Sequence, residues 1–330
     1  MTNYQPSSIG QIGTPYFDSH NMRVKGFCSY VIGDTSEKAE EFIHRAKHLR
    51  DATSATRITV RLVTTQPFRT MGHELKPIYG AMKPASARNL LPVDYINGFE
   101  TRATPLVGKW MGHWIQYWGE NAADRIEPEG IRLKEVAIVS DSLKARKLRN
   151  PFSKAGERGY MVELGVRSDA DIRQLHELYN AVYEDYVFPL TPDNVAGLVT
   201  SQSSVTALAR DGTGNIASVA VAEIVEIPTD KGLLRISEIS DEATHPNHRG
   251  NGLNQACVAI LAQELLRRYG DEIHLIYVED RATSRAVNQQ SANLGFLHVG
   301  RLNRHGRLKA DRDIDVEGPY EDLNVWFLPR

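Results

Sequence analysis

Cysteine is nearly missing from this chain. Two thiols among 330 residues, Cys28 and Cys257, are too few and too far apart for a disulfide framework or a thiolate metal centre. Both read as core thiols, Cys257 on the apolar stripe of a predicted helix. Long apolar runs are missing as well, none reaching the roughly 18 residues of a membrane span. The first residues, MTNYQPSSIGQIG, carry neither a basic start nor an apolar segment. The expected setting is cytoplasmic and reducing, with no membrane partner. An excess of charge is the third absence. With 39 Lys and Arg against 41 Asp and Glu, a net charge of −2 provides no broad basic field, so nucleic acid is not expected as a partner. Specificity has to come from a local site.

The stretch most informative about that site is 236–255, ISEISDEATHPNHRGNGLNQ, an alternating strand that runs into a glycine turn and then a long helix. Gly250 and Gly252 leave no Cβ in the way of a ligand, and the first N–H groups of the helix point outward beside its positive dipole end. This is an anion cradle. A P-loop would need Lys and then Ser or Thr after the last glycine, where Leu253, Asn254 and Gln255 stand. A dinucleotide fingerprint would need glycine at 255 and a parallel strand order.

Residues 1–22 read as a polar N-terminal arm without chemistry. A small α/β domain is expected over 23–141, opening β-α-β with VKGFCSYVIGD, a helix on Ala39, Phe42, Ile43, Ala46 and Leu49, and the strand RITVRLVTT. Trp110, Trp114, Tyr117 and Trp118 recur at helical spacing and predict an aromatic helix stripe, read as packing surface. His44 and His48 stand at i, i+4 without a third ligand in view, so no metal is expected. The stretch 142–159, with six basic side chains between 142 and 158, reads as a solvated linker.

Residues 160–330 are more legible. A strand MVELGVR and a helix capped by Ser168 and Asp171 come first. Three strands joined by the turns DGTGN and PTDKG then make an antiparallel meander. The helix on Leu253, Cys257, Ile260, Leu261 and Leu265 ends in Arg267, Arg268 and Gly270. The next strand, EIHLIYVED, pairs in parallel with the strand before that helix, through a right-handed crossover. A helix at 282–293, the strand FLHVGRL, a charged excursion and the strand DLNVWFL close the chain. The fold class is α/β in the α+β sense: a mixed, mostly antiparallel sheet preceded by a smaller α/β domain.

The segment HPNHRGNGLNQACVAILAQEL resembles motif A of the GCN5-related N-acetyltransferases, whose Gln/Arg-x-x-Gly-x-Gly/Ala loop holds the coenzyme A pyrophosphate on backbone N–H groups. Arg249, Gly250 and Gly252 stand as in the motif, with Asn247 in place of its Gln or Arg. VNQQSANLGFLHVGRL resembles the second motif, with Asn288 seven residues before the Gly295-Phe296 pair. Within the superfamily, 161–330 looks most like β-lysine N-acetyltransferases, through VYEDYVFPL, SDEATHPNHRGNGL, Arg281-Ala282-x-Ser284-x-x-x-Asn288 and EDLNVWF. The resemblance implies acetyl-CoA as co-substrate, with Thr244, His245, Arg249, Gly250, Asn251, Gly252, Leu253, Asn254 and Asn288 at the coenzyme. It implies a small-molecule primary amine as acceptor, such as a diamino acid. A protein lysine or N-terminus, and a non-catalytic acyl-CoA-binding module, are the alternatives, and the oligomeric state stays open between monomer and homodimer.

An alkyl ammonium with a pKa near ~10.4 must lose a proton before it attacks a thioester, and a carboxylate is the natural base. Strand periodicity puts Glu238 and Glu242 on one face with Ser240, and Asp241 on the other with Ile239. Glu238 stands where the histone-modifying members carry their base, so the resemblance favours it, with Asp241 and Glu242 as alternatives. The N–H near Thr244 is the expected donor to the developing oxyanion. Ser291 stands where the family usually places its Tyr acid, leaving that role unassigned. Tyr183, Tyr186, Asn303 and Asn324 are the expected walls of the acceptor site.

Overall fold

A computed structural model describes residues 15–29, 44–46, 48–64, 95–101, 110–118, 129–229, 232–311, 313–316 and 318–328. Strands β1 (Tyr16–Asp18), β2 (Arg23–Ser29), β3 (Arg57–Thr64), β4 (Tyr95–Thr101) and β5 (Trp110–Trp118) form one sheet in the order β1-β2-β3-β5-β4. β2 and β3 run parallel, with the helical residues 44–46 and 48–51 between them in sequence, which is the expected β-α-β opening. The aromatic stretch is a correction. Residues 110–118 are a strand, paired antiparallel with β3 and β4. A spacing of four is even, so Trp110, Trp114 and Trp118 fit period two as well as a helix, and aromatic residues favour strands.

Helix α1 (Glu129–Lys144) runs unbroken across position 142, where the linker was expected to begin. Its alternation of polar and apolar residues never meets a breaker before Asn150-Pro151. It packs on the helix that starts at Arg285, and Arg301 makes a buried ion pair with Glu135 at 2.7 Å. Helix α2 (Ser153–Glu157) follows.

Among the described residues the second sheet contains seven strands. β6 (Met161–Leu164) leads to α3 (Asp169–Val182), where Ser168 Oγ accepts from Asp171 N at 3.4 Å and Asp171 Oδ2 accepts from Arg167 N at 2.8 Å. Leu175, Leu178 and Tyr179 of α3 are buried on the sheet. In α4 (Pro192–Thr200), Pro192 stands at the first helical positions, where its missing N–H costs nothing, behind the Thr191 cap.

β7 (Ser204–Arg210), β8 (Ile216–Thr229) and β9 (Gly232–Thr244) form the expected antiparallel meander. α5 (Leu253–Tyr269) crosses to β10 (Ile273–Arg281), which pairs with β9 in parallel as expected. α6 (Arg285–Leu294), β11 (Leu297–Arg307) and β12 (Tyr320–Phe327) complete the order β11-β12-β10-β9-β8-β7-β6. Leu253, Cys257, Leu261 and Leu265 of α5 bury their side chains against Ala207, Ala209, Ala220 and Ala222 of β7 and β8. Small residues on the sheet let the helix lie close.

β9 and β10 pair only from Ile273↔Arg235 to Val278↔Ile239. Beyond that point β9 stays with β8 and β10 stays with β12, so the sheet opens into a V beneath residues 240–244. No helix among the described residues is long and apolar enough to cross a membrane.

Candidate active site

A β-bulge sets which side chains face the mouth of the V. Val219 pairs with Ala243 and Val221 with Ser240, so Asp241 and Glu242 together oppose Ala220. Asp241 takes the left-handed conformation, φ 52°, which Asp tolerates better than most residues. The extra residue reverses the side-chain parity expected from the sequence. Asp241 turns to the α3 side, where Oδ1 accepts from Tyr186 Oη at 2.6 Å and Oδ2 from Ser240 Oγ at 2.9 Å. Glu242 turns to the helices on the other side, where its Oε2 accepts from Asn254 Nδ2 of α5 and from Gln290 Nε2 of α6 at 2.9 Å. Glu238 lies deeper in the sheet, with Tyr277 Oη donating to its Oε2 at 2.7 Å.

Burial raises both carboxyls at the bulge. Asp241 is pushed up to about 6 by desolvation against the hydrogen bonds of Tyr186 and Ser240, with Glu238 adding to the rise. Glu242 is pushed up to about 7 by desolvation against the amides of Gln290 and Asn254, with Asp241 adding to the rise. Asp280 is held well above the usual carboxylate range by burial and by the charge of Glu242. Tyr183 and Tyr186 are also raised by burial.

Two cavities meet at Glu242. The first is a groove of about 1180 Å³ along the glycine turn, lined by Thr244, Arg249, Gly250, Gly252, Leu253 and Asn254. Gly250 and Gly252 hold φ of 77° and 72°, so the turn requires glycine at both. The first bond of α5 runs from Ala256 N to Gly252 O, and among the described residues no hydrogen bond takes up the N–H groups of 250–255. Tyr160 braces the turn: its hydroxyl lies 2.9 Å from His248 Nδ1 and accepts from Asn251 Nδ2 at 3.3 Å. His245 caps the short turn before it, accepting from Asn247 N at 3.3 Å. Arg249 reaches across to Asp311 at 2.5 Å.

Lys147, Arg149 and Lys154 also line this groove, from the stretch read in sequence as a solvated linker. Lys154 lies against the turn itself, since a Cβ on Gly252 would stand 3.5 Å from Lys154 Cβ. The density of basic residues was the available signal; only the fold turns them toward the glycines.

The second cavity, of about 480 Å³, lies on the α3 side of the V. Tyr183, Tyr186, Glu238, Asp241 and Glu242 line it, together with Tyr16, Asp18, His20, Arg23 and Lys25 from the first sheet. The arm expected to carry no chemistry thus supplies a wall from Tyr16 onward; residues 1–14 lie outside the described residues. His20 Nε2 is 2.5 Å from Tyr186 O, Asn21 Nδ2 donates to Val187 O at 2.8 Å, Arg307 N donates to Asn21 Oδ1 at 2.7 Å, and Arg23 donates to His305 O at 2.6 Å. Tyr183, Glu242, Arg281 and Val287 line both cavities.

Two expected site residues fall elsewhere. Asn288 is fully buried, its Nδ2 donating to Arg281 O and Ser284 O and its Oδ1 accepting from Asn324 Nδ2 and Trp326 Nε1. An amide with both donors and both lone pairs used has nothing left for a coenzyme, so Asn288 holds α6 on β10 and β12. Asn324 is fully buried in the same cluster and does not line the second cavity. Ser291 donates to Asp280 at 2.6 Å in the interior. The side chain of Asn303 lies outside the described residues.

Thr244 stands at the end of β9, with its hydroxyl 2.7 Å from Ser218 Oγ. His245 N donates to Ala217 O, and strand alternation then turns the Thr244 N–H away from β8, into the V. Among the described residues no group of His, Cys, Asp and Glu is placed to hold a metal.

No protein-family model matches the chain, and no curated protein matches it. Among solved structures it is similar to Arabidopsis thaliana NAA60 in complex with a bisubstrate analogue, at 13% identity over 51% of this chain and 97% of that one, with a TM-score of 0.41. It is similar to the ribosomal-protein-S18-alanine N-acetyltransferase from Escherichia coli at 17% identity over 51% and 94% of the two chains, TM-score 0.39. A mutant spermidine N-acetyltransferase from Vibrio cholerae matches at 16% identity over 51% and 92%, TM-score 0.37. Identities and TM-scores this low leave the chemistry to be read from the residues themselves.

Proposed function

We propose that the chain is an N-acetyltransferase that moves an acetyl group from acetyl-CoA to a primary amine of a small polar molecule in the cytoplasm. The observation that carries this reading is the meeting of a basic groove and a carboxylate-lined cavity at Glu242. The groove fits the coenzyme: unused N–H groups and glycines at positive φ offer a pyrophosphate seat, and Lys147, Arg149, Lys154 and Arg249 supply countercharge. When bound there, acetyl-CoA supplies the activated acyl group.

Glu242 is the base in this reading, in place of the Glu238 favoured by sequence. A carboxyl near pH 7 at the shared wall is matched to taking a proton from an incoming ammonium. The Thr244 N–H faces the V and stabilises charge on the thioester oxygen. As the C–N bond forms and the C–S bond breaks, the amine gives up two protons in all. One reaches the sulfur and one the solvent. Glu242 holds its proton more weakly than a free thiol, whose pKa is near ~8.5, so the proton passes downhill to the departing thiolate. Tyr183, raised by burial, is a poorer acid and serves as wall, its hydroxyl donating to Glu242 O at 2.5 Å.

The wall that Tyr16, Asp18, His20, Arg23 and Lys25 add to the acceptor cavity supports a small molecule over a protein chain. Its carboxylates suit a cationic acceptor such as a diamino acid. The test is thiol release from acetyl-CoA across a panel of monoamines, diamines and amino acids. No release with any of them would count against the reading.

A further inference from the structure

Asn254, in the first turn of α5, uses one end of its amide. Its Nδ2 donates to Glu242 Oε2, while its Oδ1 is shielded from solvent and accepts no hydrogen bond among the described residues. A buried acceptor without a donor bears its whole desolvation cost. Other described side chains carry such an atom, but of these Asn254 alone lines either of the two cavities. An orphan on the wall of a groove is placed to meet a ligand.

The amide cannot be turned round to give its oxygen a partner. Gln290 and Asn254 both donate to Glu242 Oε2, and a reversed Asn254 would set its oxygen against a carboxylate. The charge of Glu242 thus fixes which end of Asn254 is left open. Glu242 borders both cavities, and Asn254 borders the groove along the glycine turn beside it. The reacting nitrogen has to reach the same place, since it must meet Glu242 on one side and the thioester on the other.

We infer that Asn254 is a further catalytic residue, whose Oδ1 accepts an N–H of the reacting nitrogen and so selects primary amines. This deepens the acetyltransferase reading and rests on it for the identity of the site. A primary ammonium brings three N–H groups. One proton goes to Glu242 before the C–N bond forms and a second leaves as the C–S bond breaks; of these two, one ends on sulfur and the other in solvent. The third N–H remains in the amide product, and Asn254 holds it from start to finish. A carbonyl oxygen suits the task, because it accepts a hydrogen bond without removing the proton. A secondary amine ends as a tertiary amide with no N–H, which leaves Oδ1 orphaned again as the product forms.

The test compares thiol release from acetyl-CoA with n-pentylamine and N-methylpentylamine. Wild type is expected to show the higher kcat/KM for the primary amine. Asn254→Leu, similar in shape, is expected to shrink that preference about tenfold, the usual worth of a hydrogen bond to an otherwise orphaned buried acceptor. Its lost support for Glu242 slows both amines and cancels in the ratio. Gln290→Leu removes the other amide from Glu242 and is expected to slow both amines alike, with the preference kept. An unchanged preference in Asn254→Leu, an equal loss of preference in Gln290→Leu, or a loss confined to the KM of acetyl-CoA overturns the role of Asn254. Wild type alone supplies a second measurement, equilibrium binding of N-pentylacetamide and N-methyl-N-pentylacetamide with coenzyme A present. The secondary amide is expected to bind about tenfold tighter; equal affinity, or no binding of either, overturns the proposal. The amide pair decides the matter if Asn254→Leu does not fold. Absence of thiol release with every amine sinks the transferase reading, while the amide pair still decides on Asn254.

Discussion

The two cavities that meet at Glu242 are built on opposite principles. The groove along the glycine turn is basic and made from backbone N–H groups and exposed cations. The acceptor cavity is acidic and walled by buried side chains from two sheets. Exposed cations are screened by water and each contributes little, whereas a buried carboxylate is perturbed strongly enough to change its protonation near neutral pH. In the proposed function, binding is thus spread over many weak groups on one side, and chemistry is concentrated in one group on the other.

Substitutions can break that contrast, beginning at the junction. Glu242→Gln is expected to lower kcat by about a hundredfold or more, the usual worth of a positioned base, with the KM for acetyl-CoA little changed in steady-state assays. Glu238→Gln is expected to act mainly on the KM of the amine; the reverse pattern would return the base to Glu238. A pH profile of kcat/KM sharpens the point. Because burial raises the Glu242 carboxyl, activity is expected to rise with pH and level off above about 7; a limb near the ordinary carboxylate range would remove Glu242 from the role.

On the groove side, Gly252→Val forces a β-branched residue to φ 72° with its Cβ against Lys154, and the KM for acetyl-CoA is expected to rise by about tenfold. The smallest effect is expected from Arg249→Ala, about two- to fivefold in the same KM and fading at high salt, since this side chain is 40% exposed and already shared with Asp311. A large, salt-independent loss at Arg249 would mean that the groove is not built from weak exposed contacts.

Much of the second sheet was legible because its signals are local. Turns at DGTGN and PTDKG, alternation in β7 to β9, and the stripe on α5 each depend on neighbours in sequence, and the glycine turn declared itself by the absence of side chains at 250 and 252. The aromatic run at 110–118 misled because its spacing satisfies both helix and strand. Asn288 and Asn324 read as site residues because polar residues in a motif invite a ligand, yet they hydrogen-bond each other in the interior. No local pattern distinguishes an amide aimed at a ligand from one aimed at another amide.

By itself the sequence determined the strand, the glycine turn and the helix that follow one another through 236–255, since periodicity and φ preference act along the chain. Tertiary structure decided what that stretch does. Pairing with β8 inserted the bulge, exchanged the faces of Asp241 and Glu242, and set Glu242 between two helices where burial raises its carboxyl. Packing also brought Lys25 and the basic stretch before Tyr160 to the two cavities from far along the chain. Charge and desolvation act through space, and that is why no reading along the chain could supply them.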